Sequence, residues 1–365
     1  MHMSIDRLKS QLKTDVQIYI IRSNKRPKVD IKNYVMKYKL LGNTGERVSQ
    51  LCFGTMSFGG DADEQMSKQM FNRCRDAGIN FFDCANVYSK GKAEEILGKL
   101  ISSCRNEIII TSKAYYPMSG DINARGATRQ HILSAVEKSL KRLKTDYIDI
   151  FYIHKFDECA DLADTLGALD TLVQQGKILY PAASNFAAWQ IMKALGISAK
   201  NDLPKFRCIQ PMYNLVKRQA EVEILPMAAA EGLAVMPYSP LGGGLLTGKY
   251  GIKKRPESGR LMENKTYQAR YGAKTDFQVA ERLSDFAKER GYSAASLAVA
   301  WVSSHPAVTA PIIGARNLIQ LEGSLKSVEI SMTEELRAEI SALSPVPPPA
   351  TDRNEEVTEH NCSAR

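Results

Sequence analysis

The chain has 365 residues, 44% of them hydrophobic, and a formal charge of +9. No apolar run approaches the roughly 18 residues needed to cross a bilayer, and the run 16–21 is broken by Gln17 and too short for a signal-peptide core. Seven cysteines without a Cys-x-x-Cys pair, and five scattered histidines, argue against a disulfide framework or a zinc site and for reduced thiols in a cytoplasm.

Residues 1–35 hold eight Lys/Arg against three Asp and only a weak helical pattern. They read as a basic, solvated extension, since no nucleic-acid-binding motif accompanies the charge. Met36 is the expected start of the folded domain, and deletion of 1–35 is expected to leave fold and activity intact. Gly42-Asn43-Thr44-Gly45 is turn chemistry between two short strands, so a hairpin opens the domain.

From there the chain alternates. Strands are predicted at 50–53, 80–83, 107–111, 147–153, 179–183, 207–211, 233–237 and 310–313. Helices are predicted at 64–77, 92–103, 128–143, 161–174, 186–195, 218–230, 276–289 and 317–325, with two extra ones at 294–303 and 333–343. Eight strands alternating with helices predict a parallel sheet closed into a (β/α)8 TIM barrel. No Gly-x-Gly-x-x-Gly follows the first of them, which argues against a Rossmann domain. Pro181 inside the fifth predicted strand is expected to mark a bulge. The domain should run over 36–345. Residues 241–275 form a long loop, expected to be a lid, and 346–365 a C-terminal tail.

In this architecture the active site gathers where strands end. Those ends carry Gly54-Thr55-Met56, Asp83, Lys113, His154, Ser184-Asn185, Gln210 and Tyr238-Ser239. The stretch Phe81-Phe82-Asp83-Cys84-Ala85-Asn86-Val87-Tyr88 is a short buried strand ending in a carboxylate, with a tyrosine just beyond. A run of glycines, Gly242-Gly243-Gly244, leads to Lys249. It nearly matches a P-loop, but Tyr250 stands where Ser or Thr must bind magnesium, which rules that reading out. Pro311-Ile312-Ile313-Gly314-Ala315-Arg316 runs from the last strand into a helix start, a setting that binds phosphate.

Together these motifs, over about residues 36–345, resemble the aldo-keto reductase family. The resemblance implies a catalytic tetrad of Asp83, Tyr88, Lys113 and His154. Tyr88 would be the proton donor, with its pKa lowered by the Lys113 ammonium. Asp83 would balance Lys113, and a neutral His154 would orient the substrate oxygen.

The resemblance also implies NADPH/NADP+ as cofactor. Ser184, Asn185 and Gln210 would hold the carboxamide and Tyr238 would stack on the nicotinamide. Gly54, Thr55, Met56 and Asp83 would be further cofactor contacts. The pyrophosphate loop would be Ser239, Pro240, Leu241, Gly243 and Lys249. Ile313, Gly314, Arg316 and Gln320 would hold the adenosine phosphate, with Arg316 on the 2′-phosphate. Arg260 is a weaker second contact, read mainly as a solvated loop charge.

The expected substrate is a small carbonyl compound, met by Met56, Tyr88, Tyr115 and His154, with Phe58, Tyr116 and Met118 as further mouth residues. No metal, nucleic acid or membrane partner is expected, and nothing in the sequence signals an oligomeric state. Two other roles fit the same scaffold: a sugar or polyol dehydrogenase working in oxidation, and a nucleotide-sensing regulatory subunit. Ala182 replaces a common Gly, and Gly323 and Ser324 replace a common Glu-Asn after Gln320, which bears on the adenine contacts.

Overall fold

A computed structural model describes residues 34–357. Most of the expected basic extension and the end of the expected tail lie outside these residues. The chain opens with an antiparallel hairpin, β1 (Tyr38–Leu40) and β2 (Arg47–Ser49), paired through Lys39 and Val48. Eight parallel strands follow: β3 (Cys52–Gly54), β4 (Phe81–Asp83), β5 (Ile109–Ala114), β6 (Ile148–Ile153), β7 (Ile178–Ser184), β8 (Cys208–Gln210), β9 (Ala234–Val235) and β10 (Ile312–Ile313). From β3 to β9 each pairs with its neighbour in sequence, and β10 returns to pair with β3. A bridge between Tyr238 and Ile312, with Ile312 N–H donating to Pro237 at 2.9 Å, closes the ring between β9 and β10. The predicted (β/α)8 barrel, its hairpin and its two extra helices (Ala294–Ser303 and Glu334–Ser341) are all present.

Two hydrophobic layers result from strand alternation. Cys52, Phe81, Ile150, Tyr152, Ala182, Cys208 and Ala234 point into the barrel, where Leu41 and Val48 of the hairpin join them. Phe53, Phe82, Ile110, Phe151 and Ala183, one residue on, belong to the layer beneath the helices. The same period of two places the next polar residues inside the barrel mouth. Phe81 is followed by Asp83, Thr111 by Lys113, Tyr152 by His154, Ala182 by Ser184 and Cys208 by Gln210.

Pro181 does not make a bulge. It stays in register opposite Phe151, between Tyr180 and Ala182. Its carbonyl accepts from Arg207, so its missing N–H faces the edge where β8 has not yet begun. No ladder donor is lost.

Tyr34, before the expected domain start, already packs on the barrel. Its hydroxyl donates to Glu322 at 2.8 Å, and Arg73 lies 5.2 Å over its ring while also binding Glu322. Among the described residues no helix is long and apolar enough to cross a membrane.

Tyr34→Phe removes one donor from a buried carboxylate. It should destabilise the protein by about 1.5–3 kcal/mol, the usual scale for a hydrogen bond to a charged group. Chemical unfolding of the full chain reads this directly, and an unchanged midpoint would mean that Tyr34 is held by packing alone.

Candidate active site

Lys113 has no exposed surface, and its ammonium is enclosed by acceptors. It donates to both Asp83 oxygens at 2.7 and 2.6 Å, to the Cys84 carbonyl at 2.7 Å, and reaches the Tyr88 hydroxyl at 3.5 Å. Asp83, 2% exposed, also accepts from Thr111 at 2.7 Å and from the Gln210 amide at 2.9 Å. The parallel register sets these distances, because Asp83 lies opposite Thr111, two residues before Lys113 on the same face of β5. The carbonyl of Asp83 is held in turn by the backbone N–H and hydroxyl of Thr55, at 2.8 and 3.0 Å.

Tyr88 opens a 3-10 turn, Tyr88–Gly91, in which Ser89 and Lys90 take left-handed backbone. That turn aims the phenol back over Lys113, whose ammonium sits 5.1 Å from the ring centroid. His154 follows β6 and meets Tyr88 edge-on, with ring centroids 6.2 Å apart. The structure thus brings Asp83, Tyr88, Lys113 and His154 together.

The electrostatics differ from expectation at one group. Burial, reinforced by the Asp83 carboxylate, pushes the Tyr88 phenol well above its ordinary value. The expected net lowering is not found, because burial and the Asp83 carboxylate outweigh the Lys113 ammonium. Tyr88 is therefore a protonated phenol at physiological pH. Burial, with Lys113 second, pushes the His154 imidazole down to about 3, so it is neutral. Its Nδ1 is buried without a hydrogen-bond partner among the described residues.

The amide groups beside the tetrad form one chain. Ser184 Oγ donates to the Gln210 carbonyl at 2.9 Å. Asn185, in left-handed backbone, donates from Nδ2 to the His154 carbonyl at 2.8 Å and to Ser184 Oγ at 3.1 Å. The Tyr238 hydroxyl donates to Asn185 Oδ1 at 2.7 Å. Gln210, expected to face a carboxamide, spends its Nε2 on Asp83.

At the mouth, Met56 is 38% and Tyr116 39% exposed, and the Tyr116 ring packs edge-on to His154 at 5.1 Å. Tyr115, half-buried, packs edge-on against Tyr116. Phe58, expected at the mouth, is instead fully buried against Phe53. It follows a strand whose outward face supplies the helix-side core.

The loop after β9 is structured. Gly242, Gly243 and Gly244 all have positive φ, and a Cβ on Gly243 would come within 2.5 Å of the Tyr267 ring. Glycine is what permits this close approach. Tyr267 lies on the short helix Lys265–Tyr271, and Arg260 and Arg270 sit 5.4 and 5.5 Å over its ring. Lys249 is exposed, while Pro240 is buried and Leu241 half-buried.

Arg260 is not a free loop charge. Its Nη2 and the Nε of Arg316 each lie 3.1 Å from Asp61 Oδ2. The backbone N–H of Arg316 donates to Gln320 at 3.0 Å, next to exposed Gly314. Ser324, at a departure from the family pattern, is fully buried.

Sequence reasoning missed Asp61 and Thr111. Thr111 was legible as the inward residue two before Lys113. Asp61, in a turn far from both arginines in sequence, carried no such signal. Two guanidinium groups brought to one point suit a phosphate, and hydroxyl and amide groups beside a tyrosine suit a carboxamide, so the side chains present fit a phosphorylated nicotinamide nucleotide. Among the described residues no cluster of His, Cys, Asp and Glu could hold a metal.

A model of the aldo/keto reductase family matches residues 50–345. The chain is 38% identical to the uncharacterized oxidoreductase YrpG of Bacillus subtilis, covering 86% of this chain and 97% of that protein. It is 35% identical to a probable voltage-gated potassium channel subunit beta of Oryza sativa, covering 87% and 99% respectively. It is 30% identical to the versiconal hemiacetal acetate reductase of Aspergillus parasiticus, covering 82% and 94%. With the barrel and the grouping of its strand-end residues already established, this extent of similarity settles membership: the chain belongs to the aldo/keto reductase family.

Proposed function

We propose that this protein is an NADPH-dependent oxidoreductase that reduces aldehydes or ketones to alcohols. The carrying observation is the contact chain from Asp83 through Lys113 to the Tyr88 hydroxyl, with neutral His154 beside it. When bound, the dihydronicotinamide supplies the hydride for the carbonyl carbon; the chain's own residues manage the oxygen. Tyr88 donates its proton there. A phenol held protonated is the ready form of such an acid, and an alkoxide is far more basic than a phenol, so transfer runs downhill. Lys113, 3.5 Å away, stabilises the phenolate left behind, and Asp83 keeps Lys113 placed. His154, neutral and edge-on to both Tyr88 and Tyr116, orients the oxygen.

Ser184, Asn185 and Tyr238 would hold the nicotinamide end, and the loop from Ser239 to Lys249 the pyrophosphate. The meeting of Arg260 and Arg316 supports NADP over NAD, since a 2′-phosphate is the added anion two guanidinium groups would select. Met56, Tyr115 and Tyr116 offer an apolar mouth for the body of the carbonyl compound. Six cysteines without disulfides among the described residues support a reducing, cytoplasmic setting.

A second reading is favoured by the rice relative, which is named a probable channel subunit beta. In that reading the barrel binds the nucleotide and reports its state to a partner. It predicts cofactor binding with no carbonyl turnover.

Tyr88→Phe should lower turnover by about 10²–10⁴-fold, the usual contribution of general acid catalysis. NADPH binding, followed by fluorescence, should persist; near-normal turnover would refute the role of Tyr88.

His154 gives a pH test. Unfolded, it takes a proton near 6.5; folded, only near 3. The unfolded state binds more protons across that window, so this part of stability is present above 6.5 and is lost as pH falls toward 3. Urea unfolding at about pH 7 and about pH 4.5 should show His154→Gln losing less stability on acidification than the wild type. Equal losses would place the acid sensitivity elsewhere.

A further inference from the structure

The meeting of Arg260 and Arg316 depends on a third residue. Arg260 comes from the loop after β9 and Arg316 from the turn after β10. Both converge on one atom, Oδ2 of Asp61, which belongs to the turn after β3. Two cations share one carboxylate oxygen, and the cluster keeps a net positive charge.

The backbone beneath Asp61 is fixed. Gly60 and Ala62 N–H groups donate to the Ser57 carbonyl at 3.2 and 2.9 Å, and Gly59 N–H donates to Ala62 at 2.8 Å. The carboxylate itself is 45% exposed, and the two arginine side chains 26% and 31%. It can therefore turn toward water while its turn stays in place. Nothing buried has to move to free the two guanidinium groups.

We propose that Asp61 is a specificity-determining residue, an internal carboxylate that occupies Arg260 and Arg316 and competes with the 2′-phosphate of the cofactor for them. This rests on the reading of the site as one for NADP(H). A phosphate monoester carries about −1.5 to −2 charges at pH 7. To reach the arginines it must displace a carboxylate, or accept repulsion from one beside it. A nucleotide without the 2′-phosphate meets neither cost. Asp61 thus weakens the binding of NADPH and NADP+ alike and leaves NADH unaffected. It sets an upper limit on the preference that the arginines confer, and it shortens the stay of the phosphorylated nucleotide.

The test is equilibrium binding, without turnover. NADPH and NADH are titrated by fluorescence into wild type and Asp61→Asn at low salt. Displacement of NADPH by 2′,5′-ADP and by 5′-ADP follows. Exposed ion pairs are individually weak, so Asp61→Asn should bind NADPH and 2′,5′-ADP only about three- to tenfold more tightly. NADH and 5′-ADP should change by less than about twofold, and the gain should shrink as salt screens the cluster. Asp61→Glu, which keeps the charge, should stay near wild type.

Equal shifts for NADPH and NADH would overturn the inference, since Asp61 would then only fasten the loop that carries Arg260. Unchanged or weaker NADPH binding in Asp61→Asn would overturn it as well, leaving the NADP reading intact. A wild type that binds NADH as tightly as NADPH removes the NADP reading itself, and this inference with it.

Discussion

The site depends on a buried ion pair. Placing an ammonium with no exposed surface inside a barrel costs several kcal/mol unless every proton finds an acceptor. Lys113 meets that demand with both oxygens of Asp83 and the Cys84 carbonyl, and Asp83 is saturated in turn by Thr111 and Gln210. Removing one partner of such a pair typically costs about 3–5 kcal/mol, because the other is left charged and alone. The pair exists because β4 and β5 are in register. A slip of one residue would turn Asp83 or Lys113 toward the helices.

The same burial shapes the neighbouring groups. An ammonium near Tyr88 favours the phenolate, but burial and the Asp83 carboxylate outweigh it, and the phenol keeps its proton. His154 responds to the same low polarity by staying neutral. The barrel interior therefore presents two uncharged hydrogen-bonding side chains above one compensated pair. The unbalanced positive charge lies at the rim instead, where Arg260, Arg270 and Arg316 gather around Tyr267 and Asp61. A protonated phenol beside a neutral imidazole, with a cationic rim, is consistent with the proposed reaction between a carbonyl compound and an anionic dinucleotide.

Much of this was legible in the chain. The alternation of Phe81 with Asp83, of Tyr152 with His154 and of Cys208 with Gln210 gives both the strand and its inward polar end. The motif around Tyr88 placed the phenol beyond the strand. What escaped was three-dimensional. Arg260 read as a solvated charge because its partner, Asp61, is 199 residues away in sequence. The direction of the Tyr88 shift escaped because spacing lists charges but not how deeply a group is buried. Phe58 looked like a mouth residue because it follows a strand end, yet its outward neighbour Phe53 claims it for the core. Pro181 looked like a defect because sequence does not reveal where the adjacent strand starts.

The most direct measurement is consumption of NADPH, beside NADH, by the wild-type protein against a mixed panel of aldehydes, α-dicarbonyls, cyclic ketones and pyridoxal. The account predicts turnover that depends on a carbonyl acceptor and is markedly faster with NADPH. Tight NADPH binding with no acceptor consumed would contradict it and leave a nucleotide-binding regulatory subunit as the reading of this barrel.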